Sequence, residues 1–274
     1  MNWLITGVSG GLGRALAEAA LARGDQVAGT VRKRADLAAF EALSPGRAHG
    51  FLADMMDETS IRTAVDGAEA KLGGIDVLVG NAGYGLIGAV EESSLAEIRA
   101  QFEVNVFGPI AAIQAVLPYF RKRRAGHIII ITSVSGVAAW AGTGIYCGSK
   151  HALEGVTQTL AQEVAEFGVK VTNVEPGGMR TEYAGRSLVS ERKIADYDGA
   201  ARNAERILGD HAGHEPGDPA RVAAAILAIA GADEPPLQLL LGADAMLYAT
   251  QHLAAFQAEI GRWAKLTLST GFSD

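Results

Sequence analysis

Cysteine occurs once in the 274 residues, as Cys147, so no internal disulfide can staple this chain. Positive charge is in deficit. The 24 Lys and Arg stand against 31 Asp and Glu, a formal net charge of −7, which gives no electrostatic reason to expect nucleic acid or an anionic membrane as a partner. Long apolar runs are missing as well. The longest, His127–Thr132 and Ala223–Ala230, have the lengths of a buried strand and a core helix and fall short of the ~18 residues of a membrane span. No group of His, Cys, Asp and Glu has the spacing of metal ligands. A charged leader has no room before the apolar Trp3-Leu4-Ile5, so the expected compartment is the cytoplasm and the expected partner a small molecule.

What the chain does have is apolar substance, 49% of its residues, enough for the core of one α/β domain over 1–274. Short apolar runs at Trp3–Ile5, Gln26–Val31, Phe51–Asp54 and Ile75–Val79 alternate with helical patterns at Arg14–Arg23 and Met55–Lys71. That alternation predicts a parallel sheet covered on both faces. Between the first strand and the first helix lies Gly7-Val8-Ser9-Gly10-Gly11-Leu12-Gly13. Glycines there permit a tight turn, let the backbone approach a pyrophosphate, and leave N–H groups at a helix start aimed at anionic oxygens. The second strand ends in Thr30-Val31-Arg32-Lys33-Arg34, with no acid to accept a ribose 2′-hydroxyl and three cations suited to a 2′-phosphate. NADP is therefore expected over NAD, with Arg32 as the main contact; a merely solvated basic loop is the alternative.

Farther on, Gly80-Asn81-Ala82-Gly83 closes the fourth strand, where Asn81 either faces a ligand or only forms a turn. A long helical pattern from Ser94 to Val116 is interrupted at Asn105-Val106-Phe107-Gly108-Pro109, and Asn105 amid apolar neighbours must find partners. Arg121-Lys122-Arg123-Arg124 reads as cations at a helix C-terminus. The strand His127–Thr132 delivers Ser133 to a carboxyl end, where ligands of open α/β sheets bind. Tyr146 and Lys150 then lie at i and i+4, on one face of a helix. Such a pair is either a phenol with a neighbouring tuning charge or an idle surface pair. Cys147 and His151 beside them read as structural.

With Thr6-Gly7-x-x-x-Gly11-x-Gly13, Asn81-Ala82-Gly83, Asn105, Ser133, Tyr146-x-x-x-Lys150 and Pro176-Gly177 in this order, the sequence resembles the short-chain dehydrogenase/reductase family from about Asn2 to Thr181. The resemblance implies a Rossmann-type, doubly wound, seven-stranded parallel sheet with helices on both faces, its last two strands at Lys170–Glu175 and Gln238–Leu241. It also implies roles. Tyr146 would be the acid or base at the substrate oxygen, and Lys150 would lower its pKa and hold the nicotinamide ribose. Ser133 would bond the carbonyl or alcohol, and Asn105 would anchor a water linking Lys150 to solvent. Thr6, Gly7, Ser9, Gly10, Gly11, Leu12 and Gly13 would cradle the pyrophosphate, Asp54 would lie near the adenine, and Asn81, Ala82 and Gly83 would line the pocket. Pro176, Gly177 and Thr181 would sit against the nicotinamide.

Substrate choice is expected from Val134–Thr143, where Trp140 either stacks on substrate or packs the loop, and from 182–217. The latter is poor in apolar residues and carries Arg186, Glu191, Arg192, Lys193 and Asp198, the pattern of a mobile lid. Residues 243–274 form an amphipathic C-terminal extension, and the resemblance implies a homodimer or homotetramer. The expected function is an NADP-dependent oxidoreductase acting on a carbonyl/secondary alcohol pair. The alternatives are an NAD-preferring alcohol dehydrogenase of the same family and a non-catalytic dinucleotide-binding sensor or scaffold.

Overall fold

Seven parallel strands in the order β3-β2-β1-β4-β6-β7-β9 form the sheet of the computed structural model, which describes residues 1–199, 201–210 and 212–272 apart from the side chains of 184, 186 and 208. In chain order the elements are β1 (Asn2–Ile5), α1 (Gly11–Ala22), β2 (Gln26–Val31), α2 (Arg34–Glu41), β3 (Ala48–Leu52), α3 (Glu58–Leu72), β4 (Val77–Gly80) and a short strand β5 (Leu86–Ile87). There follow α4 (Leu95–Phe102), α5 (Gly108–Arg123), β6 (Gly126–Ile131), α6 (Gly144–Val164), β7 (Val169–Pro176), α7 (Tyr183–Arg186) and a second short strand β8 (Leu188–Val189). The last elements are α8 (Ala201–Asp210), α9 (Pro219–Ala230), β9 (Gln238–Leu241) and α10 (Ala243–Leu268).

Because side chains alternate across a strand, Trp3, Ile5, Val77, Val79, Ile129 and Ile131 face one core with α1 and α9. Leu4, Leu78, Ile128 and Ile130 face the other, with α3, α5 and α6. Chain order reverses at β1: β2 and β3 lie on one side of it and β4 on the other. Ligands of open α/β sheets bind beyond the strand ends at such a reversal.

Several boundaries differ from the sequence reading. The third strand ends at Leu52, and the helix expected from Met55 starts at Glu58 because the Asp57 carboxylate accepts from the Thr59 and Ser60 N–H groups. The interruption around Asn105 is no break. Glu103–Phe107 form one π-helical turn that joins α4 to α5 and keeps the axis running to Arg123. By length and composition this joined helix, Leu95–Arg123, could cross a membrane, yet half of its most apolar stretch is buried inside the protein. Two of the cations that close it are structural ties and not merely solvated: Arg123 pairs with Glu69 and bonds the Ile75 carbonyl at 2.7 Å, and Arg124 bonds the Glu166 carbonyl at 2.9 Å.

The segment 182–217 carries α7, β8 and α8 rather than loop alone. β8 pairs with β5, and Glu92, only 1% exposed, accepts from the Ala89 and Ile194 N–H groups and pairs with Arg202 of α8. The Arg202 guanidinium holds the Glu92 carboxyl down at about 2. Arg186, expected among the charges of this segment, lies outside the described side chains. Among the described residues, the side chains that α10 buries lie near its start, at Ala245 and Ala249. Leu253, Phe256, Ile260 and Trp263 are exposed beyond it.

Candidate active site

The loop between β1 and α1 is shaped by contacts that only glycine permits at two places. Gly7 has φ +76° and Gly11 φ +58°, the left-handed region that other residues avoid. Gly13 is needed for another reason: a Cβ there would collide with the Asn81 amide nitrogen and the Gly7 carbonyl. Asn81 is more than a turn former. Its Nδ2 donates to the Thr6 and Gly7 carbonyls at 2.8 and 3.2 Å, while the Thr6 hydroxyl accepts from the Asn81 and Ala82 N–H groups. β4 thus holds the loop in shape. No side chain caps α1, whose first residues follow Gly10 directly, so its N–H groups stay open to an anion. Ser9 is exposed on the same loop; Leu12 offers its backbone alone, since its side chain is buried in the core with Leu16. Thr181 comes over this loop, its Cβ 3.8 Å from where a Gly11 Cβ would stand. These features fit a dinucleotide pyrophosphate. Arg32 is exposed just past β2. Asp54, just past β3, accepts from its own turn at the Met56 N–H (3.0 Å).

The Pro176–Gly177 end of β7 is tied to α10, a link that went unseen in the sequence. The Asp244 carboxylate accepts from the Gly178 N–H at 2.7 Å, and a Cβ on Gly177 would strike it.

At the carboxyl end of β6, Lys150 is buried with 6% exposure and donates from Nζ to the Ile131 carbonyl at 2.9 Å. Ser133, two residues beyond Ile131, accepts from the Ser135 N–H at Oγ (3.0 Å), which leaves its own proton free to donate elsewhere. Asn105 is fully buried. The π turn directs its amide at the Tyr84 backbone, donating to the carbonyl at 2.9 Å and accepting from the N–H at 3.1 Å, and at the Ser149 hydroxyl, 3.2 Å away. It therefore braces the helix that carries Lys150 without touching the ammonium directly. Gly83 lies between the two: a Cβ there would be 3.1 Å from Asn105 Oδ1 and 3.8 Å from Lys150 Nζ.

The expected lowering of the Tyr146 pKa by Lys150 is corrected. Burial pushes the phenol up, and the hydrogen bonds that oppose this come from Tyr183 and Ser133. Lys150 Nζ stands 5.8 Å from the Tyr146 ring centre. Its own pKa is depressed by burial to about 8, with Glu154 opposing, so the cation meant to stabilise a phenolate is itself weakened. Tyr183 is the site residue that sequence reasoning missed. Its ring is 5.9 Å from that of Tyr146, and burial pushes its pKa well above the ordinary tyrosine range. The available signal was its place two residues after Thr181.

Trp140 packs rather than presenting a free face: it meets Tyr248 edge-on at 5.3 Å and joins Val134, Ala245 and Ala249. Cys147 is buried against the Thr143 hydroxyl at 3.3 Å, and His151 Nδ1 meets the Cys147 carbonyl at 2.9 Å, so both are structural.

Residues 2–191 match the family described as short chain dehydrogenase. The chain belongs to the short-chain dehydrogenase family. That places it among oxidoreductases whose fold is this Rossmann-type sheet. Oxidoreductase BOA17 of Botryotinia fuckeliana is 37% identical over 269 residues, covering 98% of each chain. An NADPH-dependent 3-dehydrocapnine reductase of Ornithobacterium rhinotracheale is 35% identical over 201 residues, 71% of each. Among solved structures, a short-chain dehydrogenase from Streptomyces avermitilis superposes with TM-score 0.92 at 40% identity, covering 98% of each chain.

Proposed function

We propose that the protein is an NADP-dependent oxidoreductase of a carbonyl/secondary alcohol pair. The observation that carries this reading is the convergence of Ser133, Tyr146 and Lys150 at the carboxyl end of β6, beside the open glycine cradle of α1. When bound, the cofactor would supply a hydride as NADPH in reduction and accept one as NADP⁺ in oxidation. Tyr146 holds the proton that reaches the substrate oxygen in reduction and takes it back in oxidation. Ser133, with its Oγ already accepting from Ser135, donates its proton to the developing oxyanion. Lys150, charged below its pKa of about 8 and 5.8 Å from the Tyr146 ring centre, would hold the ribose hydroxyls. Thr6, Gly7, Ser9, Gly10, Gly11, Leu12, Gly13, Asn81, Ala82, Gly83, Pro176, Gly177 and Thr181 form the dinucleotide cleft, with Asp54 toward the adenine. Arg32, with no competing acid at the end of β2, faces the 2′-phosphate, and the NADPH dependence of the Ornithobacterium relative supports that preference.

The segment 182–217 serves as the substrate lid, brought to the chemistry by Tyr183 and clamped by the Glu92–Arg202 pair. A cytoplasmic homo-oligomer is the expected state. Met246, Leu253, Phe256, Ile260 and Trp263 are exposed on α10 at one seven-residue step followed by three-, four- and three-residue steps, the seam of paired helices. Two copies pairing there would bury on the order of 1,000 Å² of mostly apolar surface, at the threshold of a specific interface.

The test is a panel of ketones, aldehydes and alcohols with NADPH, NADH and their oxidised forms, run beside Tyr146→Phe. Turnover with NADPH that collapses in the variant is the expected result. A clear preference for NADH removes the Arg32 assignment, and cofactor binding without turnover over the panel favours the sensor.

A further inference from the structure

Lys150 is a cation in a place that disfavours cations. It is 6% exposed, and its hydrogen bond goes to a neutral carbonyl, that of Ile131. Burial of an ammonium with no opposite charge drives it toward the neutral amine. One helical turn farther along α6 is Glu154, 4% exposed, and facing it from β7 is Glu175, 2% exposed. Glu154 Oε2 accepts from Asn173 Nδ2 at 2.6 Å and from Gln158 Nε2 at 3.1 Å. Glu175 Oε1 accepts from Gln238 Nε2 at 2.9 Å. Glu154 Oε1 is buried and receives no N–H or hydroxyl proton from the donors around it. A buried carboxylate oxygen in that condition needs a donor. The group beside it able to become one is the Glu175 carboxyl, once protonated.

We propose that Glu154 and Glu175 are a carboxyl pair sharing one proton, and that the single negative charge of the pair is the positioning counter-charge that keeps the Lys150 ammonium protonated. Two carboxylates this deeply buried and in contact resist ionising together, so below about pH 7 one proton stays and the pair carries one charge. The proton rests on Glu175 and is donated to Glu154 Oε1. Burial, with Glu154 beside it, pushes Glu175 up to about 7, and the Glu154 charge raises Lys150 against its own burial. The titratable groups involved are Lys150 and Glu154 on α6 and Glu175 on β7, and Tyr146, also on α6, faces the ammonium with its ring centre 5.8 Å from Nζ. The other contacts are neutral: Gln158 on α6, Asn173 on β7, Gln238 on β9, and Gly136 from the turn after β6. None of these groups touches the substrate, so Glu154 acts through Lys150. The inference rests on the reductase reading for Lys150, while the proton on the pair can be observed without it.

Two measurements test it. In the pH profile of NADPH-dependent reduction, activity of the native enzyme falls as pH rises through the Lys150 pKa. Glu154→Gln removes the counter-charge and is expected to move that alkaline limb down by about one pH unit. Glu175→Gln, whose amide can donate to Glu154 as the acid did and which leaves the Glu154 charge in place, is expected to move the limb less than Glu154→Gln does. A limb unmoved in Glu154→Gln overturns the proposal, and so does an equal shift in both variants. The second measurement is the infrared difference between the native protein and Glu175→Gln at pH 6. The carbonyl stretch of a protonated carboxylic acid is expected in the native protein and lost in the variant. Its absence in the native protein overturns the shared proton even if Glu154→Gln does not fold. A protein without turnover would sink the reductase reading and leave the infrared result standing.

Discussion

The environment of α6 and the outer half of α10 invert the ordinary rule of burial in opposite senses. On α6 the protein buries Lys150 and Glu154, with Asn105 against the same helix and Glu175 against Glu154. On α10 it exposes Leu253, Phe256, Ile260 and Trp263. Buried charge is costly unless each group is matched, and large exposed apolar faces are rare on a monomer unless something covers them. The first inversion is met within the chain: Asn105 by Tyr84 and Ser149, Glu154 at Oε2 by Asn173 and Gln158, Glu175 by Gln238. The second finds no partner among the described residues beyond Ala249.

The comparison can be broken at its strongest point first. Tyr146→Phe removes the proton donor and should lower kcat by roughly 10²–10⁴, the range of general acid catalysis, with NADPH affinity little changed. A variant of near-native kcat would return Tyr146 to the idle surface pair. Next comes Arg32→Ala, which should raise KM for NADPH by about tenfold, as loss of one charge-assisted contact to phosphate does, and leave KM for NADH alone. Equal effects on both cofactors would make Arg32 part of a solvated loop.

The pH dependence sharpens the same contrast, because one group pulls activity and stability in opposite directions. Lys150 titrates near 8 in the fold against 10.5 for a free lysine. Between these values the native state binds fewer protons than the unfolded chain, so this group adds stability as pH rises through that window, while reductase activity falls as the ammonium is lost. Activity that holds level through pH 9 in the presence of saturating NADPH would contradict the role given to Lys150. The smallest effect on the folded protomer is expected at α10. Leu253→Asp with Phe256→Asp should change its thermal stability by no more than ~0.5 kcal/mol, as exposed substitutions do, yet shift the elution volume in size-exclusion chromatography toward the monomer. An unchanged assembly would leave the α10 seam without its second copy.

Much of the fold was legible locally. Gln26–Val31 has the boundaries read from its apolar run, since its ends coincide with Gly24-Asp25 and Arg32, and Gln238–Leu241 has those that the family resemblance implies. The Asp218 cap and Pro219 start of α9 are likewise local chemistry. The π turn at Glu103–Phe107 was not legible, because periodicity shows an interruption without showing whether the helix stops or widens. Tyr183, Asp244 and Glu175 were missed for a different reason. Each acquires its partner across tens of residues, Tyr146, Gly178 and Glu154 respectively, through the crossing of α6, β7 and α10 at one end of the sheet.

By itself the sequence determined which groups were available and in what local geometry: the glycines that shape a phosphate-binding turn, the period that sets Tyr146 and Lys150 on one face, and the strand that brings Ser133 to an end of the sheet. Those follow from interactions within a few residues. The tertiary structure alone decided the electrostatic state of these groups. Burial raises Tyr146, depresses Lys150 and, with Glu154 beside it, raises Glu175. The reason is that solvation is lost only when distant elements close over a side chain, and local spacing holds no record of what will cover it.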